Sequence, residues 1–269
     1  MSTPWPDEAA RLDQLRDRLA QVGERIASAC QAAGRPAGDV TLIAITKTFP
    51  ATDVALLAGL GVADFGENRD QEAAPKAALV AEAGLAPRWH FVGQLQVNKA
   101  ASVVRYADFV HSVDRHRLVR ALGSHAVAAG RLITCLVQVN LDESTAGYGT
   151  ASTAGYGGAG SGGGASGAGS AGGARGGALP AEVPALAEAI AGTDGLVLGG
   201  VMAVAPLGRP ARPAFRRLAE IAAEVVAVSP AAKMISAGMS GDLDEAIAEG
   251  ATHVRVGTAL LGGRPPFVR

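Results

Sequence analysis

The sequence predicts a single α/β domain over residues 1–269, a TIM-like (β/α)8 barrel with an extra N-terminal helix. A chain of 269 residues has the length of one such barrel. Short segments rich in β-branched residues alternate with amphipathic segments, as expected of parallel strands joined by crossover helices. No Gly-x-Gly-x-x-Gly turn follows the first strand, which disfavours an open doubly wound sheet.

The spacing of apolar residues places the elements in order. A first helix over 7–33 carries Leu12, Leu15 and Leu19 on one face, and Gly34 ends it. The first strand covers 40–46, and its uncharged residues predict burial on both faces. The other seven strands are predicted at 63–65, 89–93, 108–111, 132–139, 196–204, 233–236 and 252–257. A helix follows every strand but the last. Four of the seven have only one predicted end: one ends at about residue 83, and the others begin at 98, 114 and 242. The remaining three cover 52–60, 180–191 and 212–228. In the helix that begins at 242, Asp242 and Glu245 fit a capping box.

Composition excludes several classes of protein. The net charge is −1, from 24 basic and 25 acidic residues, so nothing indicates binding to nucleic acid or to an anionic membrane. Cys30 and Cys135 are too far apart in sequence for a disulfide framework or a metal motif. The N-terminus lacks the pattern of a signal peptide, and no apolar run has the length of a membrane span. We therefore expect a cytoplasmic protein.

A glycine-rich segment interrupts the alternation after the fifth strand. Residues 147–177 hold 15 of the 36 glycines, and Arg175 is their only charge. The segment lacks the apolar surface that offsets the entropy of ordering, so we predict a flexible insertion within the barrel domain. Its position near the barrel mouth allows a functional lid, but a tolerated surface insertion is the favoured interpretation.

Lys47 is the first candidate for chemistry. It follows directly on the first strand, in an apolar setting where lysine is rarely found without a partner. Burial would lower the pKa of its amine and make it a nucleophile able to form a Schiff base with an aldehyde. The alternative is a lysine that extends from the strand end into solvent.

Two glycine- and hydroxyl-rich turns after the seventh and eighth strands predict an anion site. They are Ser236–Gly241 and Arg255–Ala259, in the position where barrels often bind phosphate. Ordinary turns without a ligand are the alternative reading. Facing a reactive lysine across the barrel mouth, the two turns favour a phosphorylated aldehyde, and pyridoxal 5′-phosphate (PLP) is the obvious candidate.

Seven blocks of the sequence, in order, resemble the pyridoxal phosphate homeostasis protein family. They are Ile45–Thr48, Asp64–Asn68, Trp89–Lys99, His111–Asp114, Gln138–Asn140, Gly238–Asp242 and Val254–Gly257. The family's fold is similar to the N-terminal barrel of alanine racemase. The resemblance implies that Lys47 carries PLP as an internal aldimine, that Asn68 lies beside the cofactor and that Arg255 faces its pyridine nitrogen. It also implies that the phosphate is surrounded by Ser236, Gly238, Met239, Gly257 and Thr258.

The sequence departs from the family pattern in places. Gln94, Ala237 and Thr145 stand where the family more often has other residues, and the glycine-rich insertion is unusual. Of the histidines, His90, His111 and His253 are interpreted as structural core residues, and His116 and His125 as helix-surface residues. Glu67 is interpreted as a helix cap, and Asn68 as the functional residue of that pair.

Three functions remain open from the sequence. An arginine at the pyridine nitrogen would keep it unprotonated, and none of the three tyrosines is a convincing second base for racemisation. We therefore favour a monomeric PLP carrier in PLP homeostasis, without robust turnover, with apo PLP-dependent enzymes as recipients. A PLP-dependent amino-acid racemase and a Schiff-base aldolase are the alternatives.

Overall fold

A computed structural model describes residues 7–142 and 176–263, and it confirms the (β/α)8 barrel. Eight strands close into one sheet in the order of the chain, with the last strand beside the first. All neighbouring strands are parallel. All eight carboxyl ends therefore meet at one mouth, where (β/α)8 barrels carry their functional residues.

The predicted elements are present, with ends that differ by a few residues. The strands are β1 (Thr41–Ile45), β2 (Asp64–Glu67), β3 (Arg88–Phe91), β4 (Phe109–Val113), β5 (Ile133–Gln138), β6 (Leu196–Met202), β7 (Met234–Ser236) and β8 (His253–Val256). The helices are α1 (Glu8–Ala32), α2 (Ala51–Gly59), α3 (Asp70–Glu82), α4 (Ala100–Val103), α5 (His116–Ala128), α6 (Val183–Ala191), α7 (Ala211–Val228), α8 (Leu243–Ala248) and α9 (Thr258–Leu261).

Two local predictions at the C-terminal end are wrong. A short helix, α9, follows the last strand, because Leu260 and Leu261 bury their side chains in the cluster that also holds Leu15 of α1. The capping box at the start of α8 does not form. Asp242 instead accepts a hydrogen bond from the backbone N–H of Met239 at 2.6 Å. This local bond occupies the carboxylate that would otherwise cap the helix.

The extra helix α1 is attached to the barrel by a buried ion pair. Asp7 caps its first turn by accepting hydrogen bonds from the N–H groups of Ala9 and Ala10. Arg11 donates to both carboxylate oxygens of Asp53 in α2, at 3.2 and 2.7 Å, and both side chains are buried. The helix is therefore part of the barrel core and not an appended arm.

Polar side chains cross the interior of the barrel. His90 of β3, His111 of β4, Ser236 of β7 and Arg255 of β8 are buried there and hydrogen-bonded to one another. The interpretation of His90 and His111 as buried core residues agrees with this, and His116 and His125 are exposed on α5. Cys30 and Cys135 are buried and unpaired.

The predicted insertion at 147–177 lies outside the described residues except for its end. At that end, Gly176 accepts a hydrogen bond from the Gln138 side chain of β5 at 2.6 Å. Thr145 and Tyr148 also lie outside the described residues. No helix in the described part of the chain has both the length and the apolar character of a membrane span.

Candidate functional site

A cavity of about 300 Å³ opens at the barrel mouth, between the ends of β1 and β8. Its lining comes from strand ends and from the turns that follow them. The lining residues are Ile45, Lys47, Asn68, Val92, Val204, Met239, Ser240, Gly241, Arg255, Gly257 and Thr258. The volume is at the lower end of the range of small-molecule sites, which begins at about 300 Å³.

Lys47 lies in a turn directly after β1, and its side chain is exposed at the cavity. The prediction that it would be buried in an apolar setting is wrong. The strand ends at Ile45, so Lys47 is already two residues past it and points to the open mouth. The amine is therefore accessible from the mouth, and its position depends on how its backbone is held.

The turn that carries Lys47 is held on both sides by side chains from β2 and α3. Before Lys47, Thr46 donates its hydroxyl to Glu67 at 2.7 Å, and its carbonyl accepts from Lys76 Nζ, also at 2.7 Å. After Lys47, the backbone N–H of Thr48 donates to Glu72 at 3.1 Å.

Thr48 is the one non-glycine residue with a positive φ, 69°, in the described part of the chain. A β-branched residue in this region is strained, and such strain persists only where surrounding contacts enforce it. The surrounding structure therefore maintains the backbone conformation of this turn.

Glu67 and Lys76 form a buried ion pair beneath this turn. Lys76 Nζ lies 2.5 Å from Glu67 Oε1, and both side chains are at most 7% exposed. Burial raises the pKa of Glu67, against the opposing effects of the Lys76 charge and of the hydrogen bonds from Lys76 and Thr46. Glu67 is thus a support for Lys47 and not the helix cap that the sequence suggested.

Asn68 reaches the cavity because a glycine lies behind it. An added Cβ on Gly93, just after β3, would lie 2.0 Å from the carbonyl oxygen of Asn68. Real Cβ atoms do not approach a backbone oxygen so closely, so one of the two loops would have to move. Gly93 therefore sets the position of Asn68 in the site.

Replacing Gly93 by alanine is expected to lower the free energy of unfolding by about 1–3 kcal/mol, the usual cost of overpacking a buried site. Urea unfolding of the two proteins measures this difference. Gly23 in α1 is the control, because an added Cβ there meets nothing within 4 Å. Gly23→Ala should raise stability by about 0.5–1 kcal/mol through helix propensity. A Gly93→Ala protein as stable as the parent would contradict the close approach.

Arg255 brings a fixed positive charge to the floor of the cavity. Its Nη1 donates to the Ser236 carbonyl and hydroxyl, both at 2.7 Å, and its Nη2 donates to the Ala203 carbonyl at 2.8 Å. Burial lowers the pKa of Arg255 to about 10, with the Asp242 carboxylate opposing, so the guanidinium remains charged at neutral pH.

The two predicted anion-binding turns border the same cavity. The backbone N–H groups of Ser240 and Gly241 donate to no acceptor among the described residues, and those residues line the cavity with Gly257 and Thr258. Met239 lines it too, but its N–H is already bonded to Asp242. Free backbone N–H groups in turns are typical of phosphate sites.

Six of the eight predicted site residues come together here, and two do not line the cavity. The six are Lys47, Asn68, Met239, Arg255, Gly257 and Thr258. Ser236 is fully buried, and its hydroxyl is engaged by Arg255 and His111. Gly238 has a φ of 89° and packs against α8, where an added Cβ would lie 2.7 Å from the Cβ of Ala246.

A larger groove, of about 520 Å³, lies between α3 and α4. It is lined mainly by alanines with Leu85, Pro87, Trp89 and Tyr106. The groove borders the outer helices and, at Trp89 and Asp108, the amino-terminal ends of β3 and β4, and no lysine lines it among the described residues. The smaller cavity at the mouth is therefore the better candidate, since it combines an accessible amine, a buried cation and free N–H groups.

The fold and this cavity define a class of protein, a (β/α)8 barrel in which a lysine after the first strand shares one cleft with a buried arginine and glycine-rich turns. The sequence profile of the alanine racemase N-terminal domain matches residues 169–265. The solved structure of PipY from Synechococcus elongatus with PLP bound is 29% identical, with a TM-score of 0.70, over 92% of this chain and 100% of its own.

Curated relatives narrow the class to a family. The pyridoxal phosphate homeostasis protein of Mycobacterium bovis is 40% identical over 97% of this chain and 95% of its own length. That of Pseudomonas aeruginosa is 36% identical over 94% and 97%. The chain belongs to the pyridoxal phosphate homeostasis protein family, which confirms the resemblance noted in the sequence.

Proposed function

We propose that this protein binds pyridoxal 5′-phosphate at the barrel mouth, attached through Lys47, and serves PLP homeostasis without robust turnover. The observation that carries the proposal is the exposed Lys47 amine in one cavity with the buried Arg255 guanidinium. The PLP-bound structure of the PipY relative supports it.

The residues present fit the chemistry of PLP. When bound, PLP supplies three groups: an electron-withdrawing pyridine ring, a phosphate, and an aldehyde that condenses with an amine. Lys47 offers the amine, and the free N–H groups of Ser240 and Gly241 suit the phosphate. Asn68 and Arg255 add two further polar side chains to the cavity.

The lining of the cavity supports a carrier over a racemase. Among the described residues that line it, Lys47 and Arg255 are the only titratable ones. Racemisation needs a base on each face of the substrate carbon. Tyr106, the only tyrosine in the described ranges, lies in the groove between α3 and α4, and burial raises its pKa. Catalytic racemisation is therefore not favoured by these residues.

Absorbance and trapping experiments on the purified protein test the proposal. We expect visible absorbance from bound PLP and, after borohydride reduction and digestion, a pyridoxyl mass on the peptide that contains Lys47. An assay of isotope exchange at the α-carbon of amino acids should give no signal above background. Steady exchange would establish the racemase instead. Absence of the chromophore, together with trapping of a substrate aldehyde or ketone on Lys47, would establish the aldolase.

The cellular setting is part of the same proposal. We place the protein in the cytoplasm as a monomer that releases PLP to apo PLP-dependent enzymes, and the exposure of the lysine and of Met239 at the mouth supports such a transfer. Transfer is measured by mixing the PLP-loaded protein with an apo aminotransferase and following the gain of transaminase activity. A rate no faster than that of free PLP released into solution would argue against direct transfer.

A further inference from the structure

Five buried side chains form one continuous hydrogen-bonded chain through the barrel, from the amino-terminal ends of the strands to the cavity. We call them the interior chain: Asp64, His90, His111, Ser236 and Arg255. Each of these residues as a whole is at most 5% exposed. The links are His90 Nε2 to Asp64 Oδ1 at 2.9 Å, His90 Nδ1 to His111 Nε2 at 2.8 Å, His111 Nδ1 to Ser236 Oγ at 3.0 Å and Arg255 Nη1 to Ser236 Oγ at 2.7 Å.

The two ends of the interior chain determine the direction of every hydrogen bond in it. At one end, Asp64 is ionised. Burial acts to raise its pKa, but hydrogen bonds from His90 and Arg88 outweigh burial and lower the pKa to about 2. A carboxylate can only accept, so His90 must donate from Nε2. At the other end, Arg255 can only donate, so Ser236 Oγ accepts from it.

The remaining protons then have one arrangement that pairs every donor with an acceptor. A neutral His90 that donates from Nε2 has a lone pair on Nδ1, which must accept from His111 Nε2. His111 in turn has a lone pair on Nδ1, which accepts the Ser236 hydroxyl proton. Burial lowers the pKa of His90 and places that of His111 well below its usual value, which keeps both rings neutral.

We propose that His111, oriented by His90 and Asp64, is a positioning residue that sets the Ser236 hydroxyl as an acceptor and so holds Arg255 in place at the PLP cavity. The inference rests on the proposed function for its link to PLP. Two N–H groups of Arg255, Nε–H and the second on Nη2, have no acceptor among the described residues, and Arg255 lines the cavity. These are the donors that the interior chain presents to a ligand.

The arrangement gives Ser236 a role different from the one that the family resemblance implied. A hydroxyl that gives its proton to His111 and a lone pair to Arg255 has little left to offer a phosphate. Asp64 is anchored in turn by Arg88, which donates to both its oxygens at 2.7 and 2.6 Å from the solvent side. The guanidinium at the mouth is therefore oriented by contacts that begin at the opposite end of the barrel.

The first test needs no cofactor. Long-range ¹H–¹⁵N spectra of the imidazoles in PLP-free protein should show His90 and His111 as neutral rings protonated on Nε2, unchanged between pH 5.5 and 8. The Arg255 guanidinium N–H signals should be sharp in the parent and in the His125→Leu control, which alters an exposed histidine. They should broaden by exchange in His111→Leu and in Ser236→Ala. A proton on Nδ1 of His111, or sharp Arg255 signals in both variants, would overturn the proposal.

The second test adds PLP. His111→Leu and Ser236→Ala are expected to weaken PLP binding about tenfold, as for the loss of one hydrogen bond that orders a charged group, and to shift the absorbance maximum of bound PLP. His111→Asn retains an acceptor for the Ser236 proton and should stay within about twofold of the parent. PLP affinity and absorbance in His111→Leu equal to those of His125→Leu would overturn the proposal. If the parent binds no PLP, the proposed function fails, and the imidazole and Arg255 signals still decide the interior chain.

Discussion

Replacing Lys47 by alanine is expected to abolish the covalent attachment of PLP while leaving the fold intact. Lys47 is exposed at the mouth, so truncating its side chain should change the free energy of unfolding by no more than about 0.5 kcal/mol, as for other surface substitutions. The nucleophile, however, is lost completely, and no other lysine lines the cavity among the described residues. The variant should purify without the visible absorbance of the parent and should carry no pyridoxyl mass after borohydride reduction.

Lys233 provides the matched control for this experiment. It is exposed and immediately precedes β7, at the end of the barrel opposite the mouth. Lys233→Ala should retain the absorbance and the pyridoxyl mass of the parent. If Lys47→Ala protein is as strongly coloured as the parent and a reduced adduct maps elsewhere, Lys47 is not the attachment site. If PLP still binds reversibly to Lys47→Ala protein, its affinity measures how much the turns after β7 and β8 contribute on their own.

The fold could be predicted from the sequence because parallel barrel strands have a simple signature. Most of their residues are buried on both faces, so the strands read as short, largely apolar segments, of which the uncharged residues 40–46 are the clearest. The helices between them follow from apolar periodicity. The ends of strands are predicted less accurately, because hydrogen bonding and not composition decides where a strand stops. This inaccuracy mattered for Lys47, which was expected to be buried and lies instead in the exposed turn after β1.

The residues that support the site were harder to predict. Glu67 and Lys76 are nine residues apart, across a loop and a helix, and their pairing depends on how α3 packs against β1 and β2. His111 and Ser236 are 125 residues apart, and only the closure of the barrel brings them together. No periodic pattern contains such information. The one available signal was chemical, since charged or titratable residues in or beside otherwise apolar strands need partners.

Lys76→Met is expected to be among the most destabilising single substitutions in this protein. Lys76 Nζ contacts both Glu67 and the carbonyl of Thr46, and both charged side chains are buried. Its removal leaves the Glu67 carboxylate without its cation. Breaking a buried pair in this way typically costs about 3–5 kcal/mol, because the remaining charge is not compensated. Urea unfolding at pH 8 should show a loss of that size, whereas Lys233→Met, at an exposed position, should be nearly neutral.

The pH dependence identifies Glu67 as the cause. The pKa of Glu67 is raised in the folded chain, so the unfolded state releases this proton first, and stability falls as pH rises from the unfolded value towards the folded one. Lys76 opposes this rise, and its loss raises the folded pKa further. The destabilisation of Lys76→Met should therefore be smaller at pH 5 than at pH 8, because a larger fraction of Glu67 is protonated and neutral at the lower pH.

A double variant completes the argument. Lys76→Met combined with Glu67→Gln removes both charges and retains an acceptor for the Thr46 hydroxyl, which lies 2.7 Å from Glu67 Oε1 in the parent. It should recover most of the stability lost in Lys76→Met at pH 8. Its loss of unfolding free energy relative to the parent, in which the contributions of the buried histidines cancel, should not grow between pH 5 and pH 8 as that of Lys76→Met does. A single variant that loses the same stability at both pH values, with no recovery in the double variant, would show that packing of the Lys76 stem, and not its charge, supports the turn that carries Lys47.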